Sequence, residues 1–279
     1  MIVNLYPSKE FKLPIVAECI NPDIFQGKKP KEIEGLEVWE GNKQKRLGEL
    51  FKVEVTKEEG ASEAAVITIH GNVSHVRRIG AGMRSGEIVV KGGAGMHLGE
   101  EMRGGKITVY GNVLGWAGSM MKGGKIEIHG NAGDYLGAPY RGSTEGMKGG
   151  KIIVHGNVGN EAGAQMKKGL IKIYGNAGQF VGFRMHGGTI YVQKDCGGRA
   201  GACMTEGTMV VGGFLESVLP TFTIEGVRKK VKIEEGEVVE APFYLFLGDL
   251  TENGKGRLYV AKEPNPHLSH YEKFFKIGE

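Results

Sequence analysis

Of the 8 histidines and 3 cysteines that could hold a metal or carry a proton in this 279-residue chain, only three are placed by a rule. His70, His129 and His155 occupy one register position, just before a glycine, with Lys91, Tyr110, Tyr174 and Gln193 as equivalents in other copies of a repeat. If the copies pile up as parallel strands, His129 and His155 stand about 4.8 Å apart, close enough to share a divalent cation. The pattern points this column outward and fixes no third histidine or carboxylate beside it, which favours a surface ladder. Glycoside cleavage needs two carboxyl groups across one bond, and Glu127, Asp134 and Glu161 fall in different columns. Cys19, Cys196 and Cys203 form no Cys-x-x-Cys pair. Gly80-Ala81-Gly82-Met83-Arg84-Ser85-Gly86 is one residue too long for the dinucleotide fingerprint and enters a strand where that motif must open a helix. No catalytic, cofactor-binding or metal-ligating residue is therefore assigned to this chain.

What positions all these residues is the repeat itself. Gly-x-x-Met-x-x-Gly-x-Ile-x-Val-x-Gly runs over 80–92, 99–111, 118–130, 144–156, 163–175, 182–194 and 201–213, restarting every 19 residues except across one insertion, residues 138–144. Excising the insertion returns Gly137 to the start of the fourth copy; Thr144 and Lys194 stand where the contiguous pattern wants glycine, and Met209 replaces an isoleucine. Within each copy, apolar residues alternate with the period of two of a half-buried strand. The columns Ile88, Ile107, Ile126 and Val90, Val109, Ile128 point inward, joined by the methionine column Met83, Met102, Met121, which the strict register makes core rather than a soft-metal array. A 19-residue coil cannot bury these side chains alone, so each column must stack on its own copies. The recurring glycines fit positive φ or close approach of stacked chains, and the Asn residues after the strand fit either left-handed dihedrals of their own or an amide ladder up the side of the stack. The expected fold is all-β: a right-handed parallel β-helix, a solenoid of about seven to eight coils over 65–213, with capping segments 1–64 and 214–279. A helical stretch is expected around Lys43 to Phe51, and strands from Phe222 to Lys232 and through Pro242 to Leu247.

A formal charge of +4 with no dense basic stripe interleaved with aromatics makes no case for nucleic acid. No apolar run reaches membrane-spanning length, the first ten residues lack the features of a signal peptide, and the odd cysteine count suits a reducing, cytoplasmic setting. The outward column Thr68, Val89, Thr108, Glu127, Ile153, Lys172, Tyr191, Val210 is more apolar than a solvated wall needs, and the insertion brings Tyr140 and Arg141, side chains favoured as interface anchors. Tyr140, Arg141, Ile153 and Tyr191 are the candidate partner-interface residues.

The repeat resembles that of the C subunit of formylmethanofuran dehydrogenase, a family related to the β-helical C-terminal domain of the glutamate synthase large subunit. The likeness extends to Ala17-Glu18-Cys19-Ile20-Asn21-Pro22-Asp23, Leu36-Glu37-Val38-Trp39-Glu40-Gly41-Asn42, Gly248-Asp249-Leu250 and Gly254-Lys255-Gly256, which resemble the dehydrogenase polypeptide rather than the synthase domain. The resemblance implies a structural, non-catalytic subunit of a cytoplasmic complex that reduces CO2 and couples it to methanofuran as a formyl group, the first step of methanogenesis from CO2. It implies partners that bind a tungsten- or molybdenum-pterin, an amidohydrolase-like subunit with a two-metal centre, and iron-sulfur proteins, with no cofactor in this chain. The alternative is a brace in a glutamate-synthase-like or formyltransferase/hydrolase complex.

Overall fold

The computed structural model describes residues 1–56 and 64–275. The junction expected near residue 64 borders the segment 57–63, which lies outside the described residues, as do the last four residues of the C-terminal flank.

The dominant element is a 13-stranded, mostly parallel sheet. Its parallel part contains Val66–Ile69, Glu87–Val90, Lys106–Val109, Lys125–Ile128, Lys148–Val154, Lys168–Ile173, His186–Val192 and Glu206–Val211. Each strand pairs with the next copy, like residue on like: Ile67, Ile88, Ile107, Ile126, Ile152, Ile171, Ile190 and Met209 form one continuous line of partners. All are fully buried, as are the seven methionines of the repeat. A second parallel line of single bridges joins Val73, Ala94, Val113, Ala132, Val158, Ala177, Cys196 and Leu215. Every copy is thus tied to its neighbours along two separate lines, and each buried isoleucine contributes about 1.5–3 kcal/mol only because the copies above and below cover it.

Both flanks join this sheet. Ile2–Pro7 pairs parallel with Val66–Ile69 and antiparallel with Phe51–Thr56, placing Val3 and Leu5 in line with Ile67 and Ile69. At the other end Gly256–Ala261 adds a further parallel strand, with Leu258 and Val260 opposite Met209 and Val211; the repeat grammar did not reveal it. Glu237–Gly248 and Thr223–Glu234 then follow as an antiparallel hairpin. The helix expected around Lys43 to Phe51 is corrected: only Leu47–Leu50 is helical, while Lys43–Arg46 pairs with Glu37–Glu40 across a turn at Gly41 (φ 60°). Backbone pairing with a neighbouring strand overrides the weak helical preference of the lysines and arginines.

The glycines separate into two physical classes. Gly105 and its equivalents have positive φ (77° at Gly105), whereas Gly111 is needed for close approach, since a Cβ there would lie 2.6 Å from the backbone carbon of Gly92. Positive φ also occurs where glycine is absent, at Arg78, His97, Trp116, Tyr135, Glu161, Phe180 and Arg199, one column of the repeat. A left-handed non-glycine costs on the order of 1 kcal/mol, and the stack offsets it: the backbone N–H of His97 donates to Gly115 and that of Trp116 to Asp134 on the next level (3.1 and 2.9 Å). The asparagines form a ladder from side chain to backbone. The Oδ1 of Asn112, Asn131, Asn157 and Asn176 each accepts from the N–H of the equivalent residue one copy on, at 2.7–3.1 Å.

The insertion leaves this scheme intact. Gly137 has φ 68° and donates to Ala117 (2.8 Å), as Gly118 donates to Leu98. The hydrogen bond closing each corner, from the methionine N–H to the glycine carbonyl, persists as Met147 to Gly137 at 3.0 Å. The extra residues are spliced into a turn whose ends do not move.

Candidate functional site

On the outer face of the strands the aromatic column is a continuous stack. Tyr110 lies 4.8 Å from His129, His129 lies 4.7 Å from His155 with their planes 3° apart, and Tyr174 follows at 5.4 Å. One expectation is corrected here: a carboxylate does stand beside the histidines. Glu127 Oε1 is 3.0 Å from His155 Nε2, and ligand atoms of Glu127, His129 and His155 all lie within 4.8 Å of one another. Glu127 is two residues before His129, which directly follows the strand Lys125–Ile128, so the period-two rule already pointed both to one face. Lys125 donates to Glu127 at 2.7 Å and, with His155, holds the Glu127 carboxyl down at about 2. A shared cation about 2.0–2.1 Å from each nitrogen would have to lie in both ring planes. Two parallel rings 4.7 Å apart do not meet that condition; binding would require the stack to open and Glu127 to leave Lys125.

Higher on the same face, Tyr191 is 7% exposed and packs with Val210 against Val231, Ile233 and Phe243 of the C-terminal hairpin. Beside it Lys172 pairs with Glu234 (2.6 Å) and Glu237, and Glu234 also pairs with Lys151. Burial opposes the charge on Lys172, but the two carboxylates outweigh it and raise its pKa. The placing of Tyr191 among partner-interface candidates is therefore corrected: the apolar side chain is covered by the chain's own hairpin. Ile153, one level below Lys172, is half-buried at the margin of that cover.

Tyr140 and Arg141 belong to a different cluster. Glu100 is 2% exposed, and the Tyr140 hydroxyl donates to its Oε1. Arg78 Nε lies 3.3 Å from Glu100 Oε2 and 3.0 Å from Glu18. His97 Nδ1 is 3.7 Å from the same carboxylate, yet burial, then the charges of Arg78 and Arg77, push the His97 pKa down to about 4, so the ring is neutral near pH 7. Burial, followed by the glutamate, raises the Tyr140 pKa, which keeps the phenol a donor. His97, Trp116 and Tyr135 stack at 5.5 and 4.4 Å, Tyr140 tilts against His97 at 5.3 Å, and Arg141 donates to the Tyr135 hydroxyl at 3.3 Å. The sequence reading missed Glu100, although its column is otherwise mostly small, with Ala81, Ser119, Ala164 and Ala202. The carboxylate is closed off by the phenol and the guanidinium, so it anchors the inserted loop.

No family model matches the chain. Over 274 residues it is 48% identical to the C subunit of the tungsten-containing formylmethanofuran dehydrogenase 2 of Methanococcus maripaludis, covering 96% of this chain and 98% of that one. The chain belongs to the family of formylmethanofuran dehydrogenase C subunits. Another member, the C subunit of the molybdenum-containing formylmethanofuran dehydrogenase 1 of Methanothermobacter marburgensis, is 45% identical over 95 residues, 34% of this chain. That match spans only 23% of the relative's own length. Among solved structures, the fold of this family member is similar to a chain of the formyltransferase/hydrolase complex of Methylorubrum extorquens, determined with methylofuran. The TM-score is 0.81 at 28% identity, over 92% of this chain and 99% of that one. Among the described residues no helix is long and apolar enough to cross a membrane.

Proposed function

We propose that this chain is a structural, non-catalytic subunit of a formylmethanofuran dehydrogenase complex, built as a right-handed parallel β-helix that holds the catalytic subunits in register. The observation that carries the reading is the unbroken line of paired, buried isoleucines from Ile67 to Met209, in a chain matched over nearly its whole length by a C subunit of that enzyme. Such a stack is stiff along its axis, because every level is hydrogen-bonded to the next and each glycine corner is filled by its neighbours. In this reading the partners carry the chemistry: a tungsten- or molybdenum-pterin, iron-sulfur clusters and a two-metal amidohydrolase-like centre reduce CO2 and form N-formylmethanofuran. The complex belongs to the cytoplasm. A second reading, a place in a formyltransferase/hydrolase complex, is supported by the structural likeness to the Methylorubrum extorquens chain.

The test is affinity purification of the tagged chain from its own cells, with mass spectrometry of what accompanies it and metal analysis of the chain purified alone. Pterin-binding and amidohydrolase-like subunits in constant ratio, with a metal-free isolated chain, are expected. Recovery of formyltransferase subunits without a pterin-binding partner would favour the second reading. Stoichiometric metal with dehydrogenase activity in the isolated chain would refute a non-catalytic role.

A further inference from the structure

The chain's own hairpin covers Leu170, Tyr191 and Val210 on the strand face, whereas the side bearing half-buried Trp116 and Tyr135 and exposed Tyr140 has no hairpin over it and continues into a second aromatic cluster. Phe180 and Phe183 meet edge to face at 5.9 Å, with the Arg184 guanidinium 5.2 Å over Phe183 and that of Arg199 5.0 Å over Phe180. The two phenylalanines are half-buried and the two arginines exposed. Beside them, the residue after the core methionine reads Arg84, Arg103, Lys122, Lys148, Lys167 and His186 in the first six of the seven copies, with Thr205 in the last. Stacking sets these groups about 4.8 Å apart per level, so residues distant in sequence become a basic column. The same column is legible in the repeat, one place after the methionine, and the absence of a basic stripe expected from the sequence is corrected here.

Part of this charge is balanced within the chain: Glu101 pairs with Lys122, and Glu145 bridges Lys148 and Lys167. Arg103, Arg141, Arg184 and Arg199 have no carboxylate in ion-pair contact among the described residues. An exposed guanidinium beside a ring, with no carboxylate of its own chain in contact, can still pair with a carboxylate from outside. Half-buried aromatics flanked by unpaired arginines are the composition found at the centre of protein interfaces.

We infer that this face docks a protein surface carrying a row of carboxylates, on another subunit of the assembly; the inference rests on the structural role proposed above. Charge decides among the occupants. A second copy would set the basic column against itself, and like charges brought together at an interface are strongly unfavourable. Phosphates would meet Glu101, Glu145 and Glu161 among the cations, and the phenylalanine faces are covered by arginines instead of open for bases to stack.

The test co-expresses the tagged chain with the other subunits as wild type and as the triple variant Arg103→Glu, Arg184→Glu, Arg199→Glu. Isolated-chain melting serves as the folding control, and Arg228→Glu, on the C-terminal hairpin, as the charge control. Expected are at least a tenfold loss of co-purifying subunits at about 0.15 M salt for the triple variant, an unchanged melting transition, and little loss for the control. Carbodiimide, which joins amines to carboxylates without a spacer, should link Lys122, Lys148 or Lys167 of the wild-type complex to partner aspartates or glutamates. Full retention of the subunits by the triple variant, or cross-links confined to the hairpin side, would overturn the docking face while leaving the structural role standing. Failure of the wild-type chain to bring down any subunit would sink both. Dimerisation or duplex DNA binding by the isolated chain, lost in the triple variant, would assign the face to those occupants instead.

Discussion

Gly118 is occupied by glycine for two reasons that a double-mutant cycle separates. Its φ is 63°, and a Cβ built on it would lie 2.5 Å from the Cδ1 of Ile152, the core isoleucine of the copy above. Gly118→Ala therefore carries a conformational cost of about 1–2 kcal/mol and an overpacking cost of about 1–3 kcal/mol. Ile152→Val, which deletes the obstructing methyl, costs about 0.5–1.5 kcal/mol alone. In the double variant the methyl is gone, so only the conformational and deletion costs remain. The two substitutions should be less destabilising together than their sum by about 1–3 kcal/mol, within the range measured for residues in contact. Urea unfolding followed by circular dichroism and by the fluorescence of nearby Trp116 gives each stability, provided that the two probes coincide and the slope with urea is unchanged. Additivity within about 0.5 kcal/mol would refute the claim that the glycine column makes room for the isoleucines of the next level.

Three further outcomes are expected. Tyr140→Phe removes the donor to buried Glu100 and should cost about 1.5–3 kcal/mol, the range for a hydrogen bond to a charged group, with faster amide exchange in residues 138–146; unchanged exchange would show that the loop is held otherwise. His97 is held neutral by burial, with its pKa lowered from 6.5 to about 4, so its contribution is complete above pH 6.5 and lost as pH falls toward 4; His97→Gln should flatten stability across that window and no other. Tyr191→Ala empties the space beneath the hairpin and should cost about 3–5 kcal/mol, with new protease cleavage in residues 223–248 preceding global unfolding. Cleavage indistinguishable from wild type would mean that Tyr191 does not hold the hairpin down.

The pairing of like residues was legible before any coordinates, because a side chain that can be buried only by its own copies must recur at a constant spacing, and Ile107, Ile126 and Met121 do. Their stacking is a local property repeated, so one copy read correctly reads them all. Glycine was half-legible: the spacing located Gly105 and Gly111, but positive φ in one and close approach in the other depend on where the neighbouring backbone lies. The same holds for Trp116 and Tyr135, whose left-handed backbone follows from hydrogen bonds to the next level and not from their own preferences.

The repeat by itself determined the columns, the core and the place of the insertion, since each follows from periodicity and burial along a single chain. Tertiary structure alone decided which outward aromatic is covered and by what. Tyr191 and Tyr140 look alike in sequence, both outward aromatics on or beside the repeat. One lies under a hairpin whose residues come some 40 to 50 positions later, and the other closes over Glu100, 40 positions earlier. Such contacts are set by how the chain returns on itself, and no local spacing encodes that return.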